Sequence, residues 1–226
     1  VTGPGSANVI GGQFVAMKTF GRSIEDMTIK FPAAMKAAFG ENPKRVFSAQ
    51  KTFYTRMSIA SQLRGTLLDT LEYDRSIKDA KQKGEKPPKI DHSLEAMLPV
   101  VRGELPLKIH AHRADDIFTA LRISKEFGLR PVIIHGTEAH LVADLIAEEN
   151  VPVVCGPYMT DRSKPEIKNL TDEAPGILAK AGIPTAITVD HPEIPLRLLP
   201  VAVMLAVRAG MDKTDALRAV TAVPAK

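Results

Sequence analysis

The pattern of apolar and polar positions divides the chain into an irregular first half and a repetitive second half. Near the start, Gly3, Pro4, Gly5, Gly11 and Gly12 mark a loop. Residues 14–20 (FVAMKTF) form a short apolar run that fits a strand, and residues 35–40 (MKAAFG) fit a strand or a helix end. Residues 40–45 (GENPKR) have turn chemistry. From Arg56 to Lys83 the period changes: Met57, Ala60, Leu63, Leu67, Leu68 and Leu71 recur at spacings that predict one long helix. Residues 81–89 (KQKGEKPPK) break it with charge and with Pro87 and Pro88, and a shorter helix is predicted over residues 93–102.

Beyond residue 105 strands and helices alternate. Strands are predicted over residues 105–112, 130–136, 151–159 and 183–191, and helices over 114–128, 138–150, 172–182, 195–210 and 213–220. Three of the strands (PVIIHG, VPVVCG and TAITVD) are near-continuous apolar runs, the mark of a parallel sheet covered on both faces. One strand per βα unit at regular spacing favours part of a (β/α)8 barrel over a doubly wound sheet. No GxGxxG or Walker loop follows a strand, which lowers the nucleotide-binding reading further. The expected fold class is therefore α/β, a TIM-type barrel that is incomplete in this chain, occupying residues 1–226.

Composition narrows the partners. The chain has 226 residues, 44% hydrophobic and 25% charged, enough for a real core in a soluble protein. No uncharged apolar run is long enough to span a membrane. The net charge of +4 is spread along the chain, and with 5% aromatics and no Trp it does not point to nucleic acid. The lone cysteine, Cys155, cannot form an internal bridge, so a secreted disulfide scaffold is excluded and a cytoplasmic location is expected. The chain opens VTGPGSANVIGG and stops at VPAK directly after a helical run, so it is expected to be a piece of a longer protein.

The chemistry lies at the strand ends. The strands close on His110-Ala111-His112, on His135-Gly136, on Cys155-Gly156-Pro157-Tyr158 and on Asp190-His191. In a barrel those ends meet at one mouth. Imidazole nitrogens and a carboxylate oxygen are what a Zn²⁺-type ion takes. A lone histidine at a strand end is usually a partly buried polar residue, but three strands ending on His, His and Asp make a stronger pattern. His110 and His112 share a face, and either can be the ligand. His92 reads as a solvated residue, His140 as a surface or supporting group, and His191 as turned to the other side or into the loop.

The segments IHAHRADDI, PVIIHGTEAH, AITVDHPEIP and DALRAVTAVPAK together resemble the amidohydrolase superfamily of metal-dependent hydrolases. The nearest branch is that of imidazolonepropionase-like and Xaa-Arg or Xaa-Pro dipeptidase-like enzymes. GPGSANVIGGQ and FGENPKRVF resemble segments of an uncharacterised group within it. The resemblance covers nearly the whole chain. It implies a (β/α)8 barrel with one or two divalent metal ions, Zn²⁺ first among them, at its mouth. It implies His110 as the fifth-strand ligand with His112 as the near alternative, His135 as the sixth-strand ligand and Asp190 as the eighth-strand aspartate. The fourth-strand group falls in MKAAFGEN: Glu41, slightly preferred because a carboxylate needs no modification, or a carboxylated Lys36. No His-x-His precedes GPGSANVIGG, so the first strand and the small β-sandwich of such enzymes are absent from this sequence, and Val223 stands where Asn is common.

The resemblance implies a hydrolase that cleaves a C–N bond of an amide, cyclic amide or peptide through a metal-activated water. Asp190 takes the water's proton and returns it to the leaving nitrogen, while His112 or Arg162 stabilises the oxyanion or grips a substrate carboxylate. Arg162 is otherwise a solvated loop charge. The expected partners are a small-molecule substrate and a second copy of the chain. The alternative is a non-catalytic barrel fragment that binds no metal, favoured by the missing first strand. A metal-independent barrel lyase or isomerase would need a lysine or a phosphate-gripping glycine loop at the late strand ends, and no lysine ends any of the last four.

Overall fold

The computed structural model describes residues 1–47 and 55–225. The chain divides into two units, Val1–Lys108 with Arg122–Arg130, and Ile109–Leu121 with Pro131–Lys226.

The first unit begins with an antiparallel hairpin of β1 (Ile10–Met17) and β2 (Thr28–Ala38), in register at Gln13↔Met35 and Phe14↔Ala34. Between them lies a single turn, α1 (Ile24–Met27), started by Ser23, whose side chain accepts from the Asp26 N–H. The strand suspected at 14–20 is thus the end of a longer one. MKAA is the buried end of β2, followed by α2 (Glu41–Phe47). Lys36 is buried in β2, and its ammonium stands 5.8 Å from the centre of the Phe14 ring; Lys108 approaches the same ring at 5.2 Å. Burial lowers the Lys108 pKa.

The long predicted helix is α3 (Arg56–Lys83). Thr55 caps it reciprocally with Ser58, and Gly84 ends it in the left-handed conformation at φ 68°. Its buried face differs from the predicted one. Ile59, Ala60, Leu63, Leu67, Thr70, Tyr73 and Asp74 are buried, whereas Met57, Leu68 and Leu71 are exposed. The reason is the partner, α4 (His92–Val101), which buries Met97, Leu98 and Val100 and is followed by Arg102. The Arg102 Nε donates to Asp74 at 3.0 Å, and Lys78 pairs with the same carboxylate, so a charged residue belongs on the packed face.

β3 (Leu107–Ala111) and α5 (Ala114–Glu126) contribute residues to both units. In the second unit β3 is followed in sheet order by β4 (Pro131–His135), β5 (Val153–Cys155) and β6 (Thr185–Ile187), the order expected. β4–β5 and β5–β6 are parallel, with Ile133↔Val153 and Val153↔Thr185 in register. The crossovers carry α6 (Ala143–Glu148), preceded by a 3-10 turn at Ala139–Val142, and α7 (Ala174–Lys180). α8 (Leu199–Arg208) and α9 (Lys213–Arg218) follow β6, and Ala202, Ala206, Met211 and Ala216 pack with Ile187 and Val189.

β5 and β6 are shorter than their apolar runs. Pro152 and Pro184 precede them and offer only a carbonyl, taken by Ile133 N–H and Val153 N–H at 3.0 Å each. Beyond β5, Gly156 has φ 118° and Pro157 has no N–H, so the ladder stops. The six strands among the described residues fall short of the eight of a closed barrel; the architecture is α/β with a mostly parallel sheet. No helix among the described residues is long and apolar enough to cross a membrane.

Candidate metal centre

β3 and β4 deliver three imidazoles to one place. His110 lies in β3 and His112 one residue past its end, two positions apart along extended chain, and both are buried. Their ring centres are 4.6 Å apart, edge to face. The buried His135 ring lies 4.4 Å from His110 and stacks 4.9 Å from His112. The sequence offered His110 or His112; the fold brings both.

Backbone bonds hold the two strand ends together. Gly136 N–H donates to Ala111 O at 3.0 Å and Glu138 N–H to His112 O at 2.8 Å. His135 and Gly136 both take positive φ, 75° and 51°. His135 Nδ1 lies 2.8 Å from the carbonyl oxygen of Gly156. A carbonyl only accepts, so Nδ1 carries the proton and Nε2 the lone pair. His112 Nδ1 lies 2.8 Å from Thr137 Oγ1, which fixes that ring as well.

The carboxylate in this cluster is Glu166, a residue the strand-end reasoning passed over. It sits in a 3-10 turn, Pro165–Ile167, in the loop after β5, and is buried. Its Oε1 is 3.9 Å from His112 Nε2 and 3.3 Å from Lys164 Nζ. One ligand atom each from His110, His112 and Glu166 lies within 4.8 Å of the others. The sequence signal was slight: an acidic residue between Pro165 and Ile167, flanked by Lys164 and Lys168.

The other candidates are not members of that group. Asp190 is exposed in a turn after β6, at φ 51°; its N–H donates to Thr188 Oγ1 at 3.1 Å and its carbonyl accepts from Glu193 N–H at 2.8 Å. His191 Nδ1 accepts from Leu196 N–H at 3.3 Å. Arg162 does not stretch into solvent alone: its Nε donates to Lys168 O at 3.1 Å and its Nη2 to Leu170 O at 2.8 Å, across the turn that carries Glu166. Glu41 was expected at a strand end, but β2 ends at Ala38 and Glu41 opens α2, because Gly40 at φ 85° ends the strand; Lys36 is the one of the two that lies within the strand. His92 is the exposed first residue of α4. His140 is half-buried, and burial lowers its pKa. Cys155 is buried, and burial pushes its thiol up to about 12, so it is no thiolate nucleophile at neutral pH.

Two imidazoles and a carboxylate, buried and converging, are the donor set of a three-ligand divalent metal site, with a third imidazole alongside. The residues present therefore fit a divalent ion.

The chain is similar to an amidohydrolase from Thermotoga maritima MSB8 seen in a crystal structure, with 42% identity and a TM-score of 0.96 over 98% of this chain. It spans 58% of the length of that protein. A second solved structure, of an uncharacterized protein, aligns over 69% of this chain and 46% of the other at 19% identity with a TM-score of 0.44, too weak to bear on fold or function. No family model and no curated protein matches the chain. The first likeness supports the amidohydrolase superfamily.

Proposed function

We propose that this chain holds the metal-binding part of an amidohydrolase that cleaves a C–N bond in a small amide, cyclic amide or peptide. The observation that carries the reading is the buried His110–His112–Glu166 group with its ligand atoms within 4.8 Å of one another. A divalent ion, Zn²⁺ in this proposal, supplies there a Lewis acid for the scissile carbonyl and an acidified water at neutral pH.

The protein's own groups do the rest. His110, His112 and Glu166 hold the ion, and the His135 ring, fixed through Gly156 O at 2.8 Å, completes the imidazole wall. Asp190, solvent-facing beyond β6, accepts the water's proton and delivers it to the leaving nitrogen. Arg162 serves the loop around Glu166, and Lys164 is the cation nearest that carboxylate at 3.3 Å. An imidazolonepropionase-like or dipeptidase-like substrate, a cytoplasmic location and a homo-oligomer complete the proposal.

Dialysed chain titrated with Zn²⁺ against a chromophoric chelator is expected to bind stoichiometrically. His112→Ala and Glu166→Gln are expected to weaken binding. Zn²⁺ binding unchanged in both variants, or none in the unmodified chain, overturns this ligand set; the latter result favours a non-catalytic fragment.

A further inference from the structure

Glu166 reaches the histidines from a loop, and something must hold it there. Glu138, immediately after Thr137, is joined to two other chain segments by three hydrogen bonds. Its N–H donates to His112 O at 2.8 Å. Its Oε2 accepts from Ala114 N–H at 2.9 Å, just past His112. Its Oε1 accepts from Asn169 Nδ2 at 2.9 Å, three residues after Glu166. From the other side Arg162 grips the carbonyls of Lys168 and Leu170. The segment from Arg162 to Leu170 is thus closed on itself and fastened through one carboxylate to the strand end that carries His112.

We infer that Glu138 is a positioning residue for the His110–His112–Glu166 site: its side chain fixes the separation between the imidazole pair at the end of β3 and the carboxylate on the loop. The inference rests on the metal reading above. The Glu138 carboxylate suits this place because both of its neighbours are donors. An amide in its place still accepts from Ala114 N–H, and its NH₂ is met once the Asn169 amide turns its Oδ1 inward, whereas a carboxylate at 169 would face the Glu138 carboxylate with no donor between them. Outer groups of this kind typically alter metal affinity by about 10- to 100-fold.

The test uses the whole chain with Glu138→Gln, with Asn169→Asp, and with both. In the double variant the donor order is reversed and complementary again: the new amide carbonyl at position 138 accepts from Ala114 N–H, and its NH₂ donates to the new carboxylate at 169. Two readouts are taken: hydrogen–deuterium exchange of residues 160–171, and Zn²⁺ affinity by chelator competition. Asn169→Asp, which sets two carboxylates against each other, is expected to exchange faster in that segment and to bind Zn²⁺ about 10-fold or more weaker, whereas Glu138→Gln, met by the turned Asn169 amide, is expected to stay close to the unmodified chain. The double variant is expected to recover both. Exchange at the unmodified rate in Asn169→Asp overturns the clasp, whether or not the chain binds metal. Faster exchange with unchanged Zn²⁺ affinity overturns the positioning role. A chain that takes up no Zn²⁺, yet loosens in Asn169→Asp and tightens in the double variant, refutes the metal reading and the positioning of a metal site with it, and leaves Glu138 only as a fastener of the loop.

Discussion

Gly156→Ala is expected to damage fold and site together. Gly156 has φ 118°, outside what L-residues adopt. A Cβ there would fall on the carbonyl oxygen of Thr188, with the Thr188 carbonyl carbon at 3.3 Å and its nitrogen at 3.6 Å. These are backbone atoms tied to the sheet, for Thr188 N–H donates to Cys155 O at 2.9 Å. No rotamer change relieves them. Backbone strain of this kind costs about 1–3 kcal/mol. Forcing the sheet open costs about another 1–3 kcal/mol. The sum is centred near ~4 kcal/mol, or a fall of about 8–16 °C in Tm.

Gly128→Ala supplies the control. It too has positive φ, 62°, but a Cβ would meet nothing within 4 Å. It should lose only about 1–2 kcal/mol. Gly156 also carries the carbonyl that fixes His135 Nδ1, so its variant should bind Zn²⁺ less tightly, by about 10-fold, while the Gly128 variant should not. Thermal unfolding by circular dichroism and chelator competition give both numbers. If the two variants unfold within about 1 kcal/mol of each other, the clash with Thr188 does not govern this position and the reasoning fails.

Three further outcomes are expected. With Zn²⁺ present, Asp190→Asn should lower kcat by about 10²- to 10⁴-fold, measured over a panel of dipeptides and cyclic amides; retention of more than about a tenth would place the base elsewhere. Cys155, buried with its thiol pushed up to about 12, should resist iodoacetamide at pH 8 in the native chain and react only in denaturant, and rapid native labelling would show the strand end to be open. At Asp74, burial raises the pKa, but hydrogen bonds from Lys78 and Arg102 outweigh it and hold the carboxyl below its ordinary value. Its contribution to stability is therefore present above the unfolded pKa of about 3.9 and lost as pH falls through the lower folded value, so Asp74→Asn should reduce the urea midpoint at pH 7 more than at pH 2, and an equal loss at both would be inconsistent with the ion pair.

Local signals were legible and tertiary ones were not. The bounds of α3 could be read because the apolar period begins behind Thr55 and stops at Gly84, both features of the chain itself. Its buried face could not, since Thr70 and Asp74 turn inward only because α4 and Arg102 cover them. The order of β3 to β6 followed from apolar runs separated by helices. β1 and β2 were only glimpsed, because residues 28–33 lie half or fully exposed and carry no continuous apolar run. The gathering of His110, His112 and His135 was implied by parallel strands that end together. Glu166 left only a slight trace, because the loop that carries it is held by contacts of Glu138, Asn169 and Arg162 that no spacing encodes.

The left-handed backbone at His135 has a consequence for any effort to improve this protein by selection. At φ 75° an imidazole is held where Gly or Asn would sit with less strain, and the cost is on the order of 1 kcal/mol. A library scored only for heat resistance would therefore drift at position 135 toward the residues that relax the turn, and each such winner would discard the ring that stacks on His112. Robustness and the proposed metal chemistry pull this one codon in opposite directions.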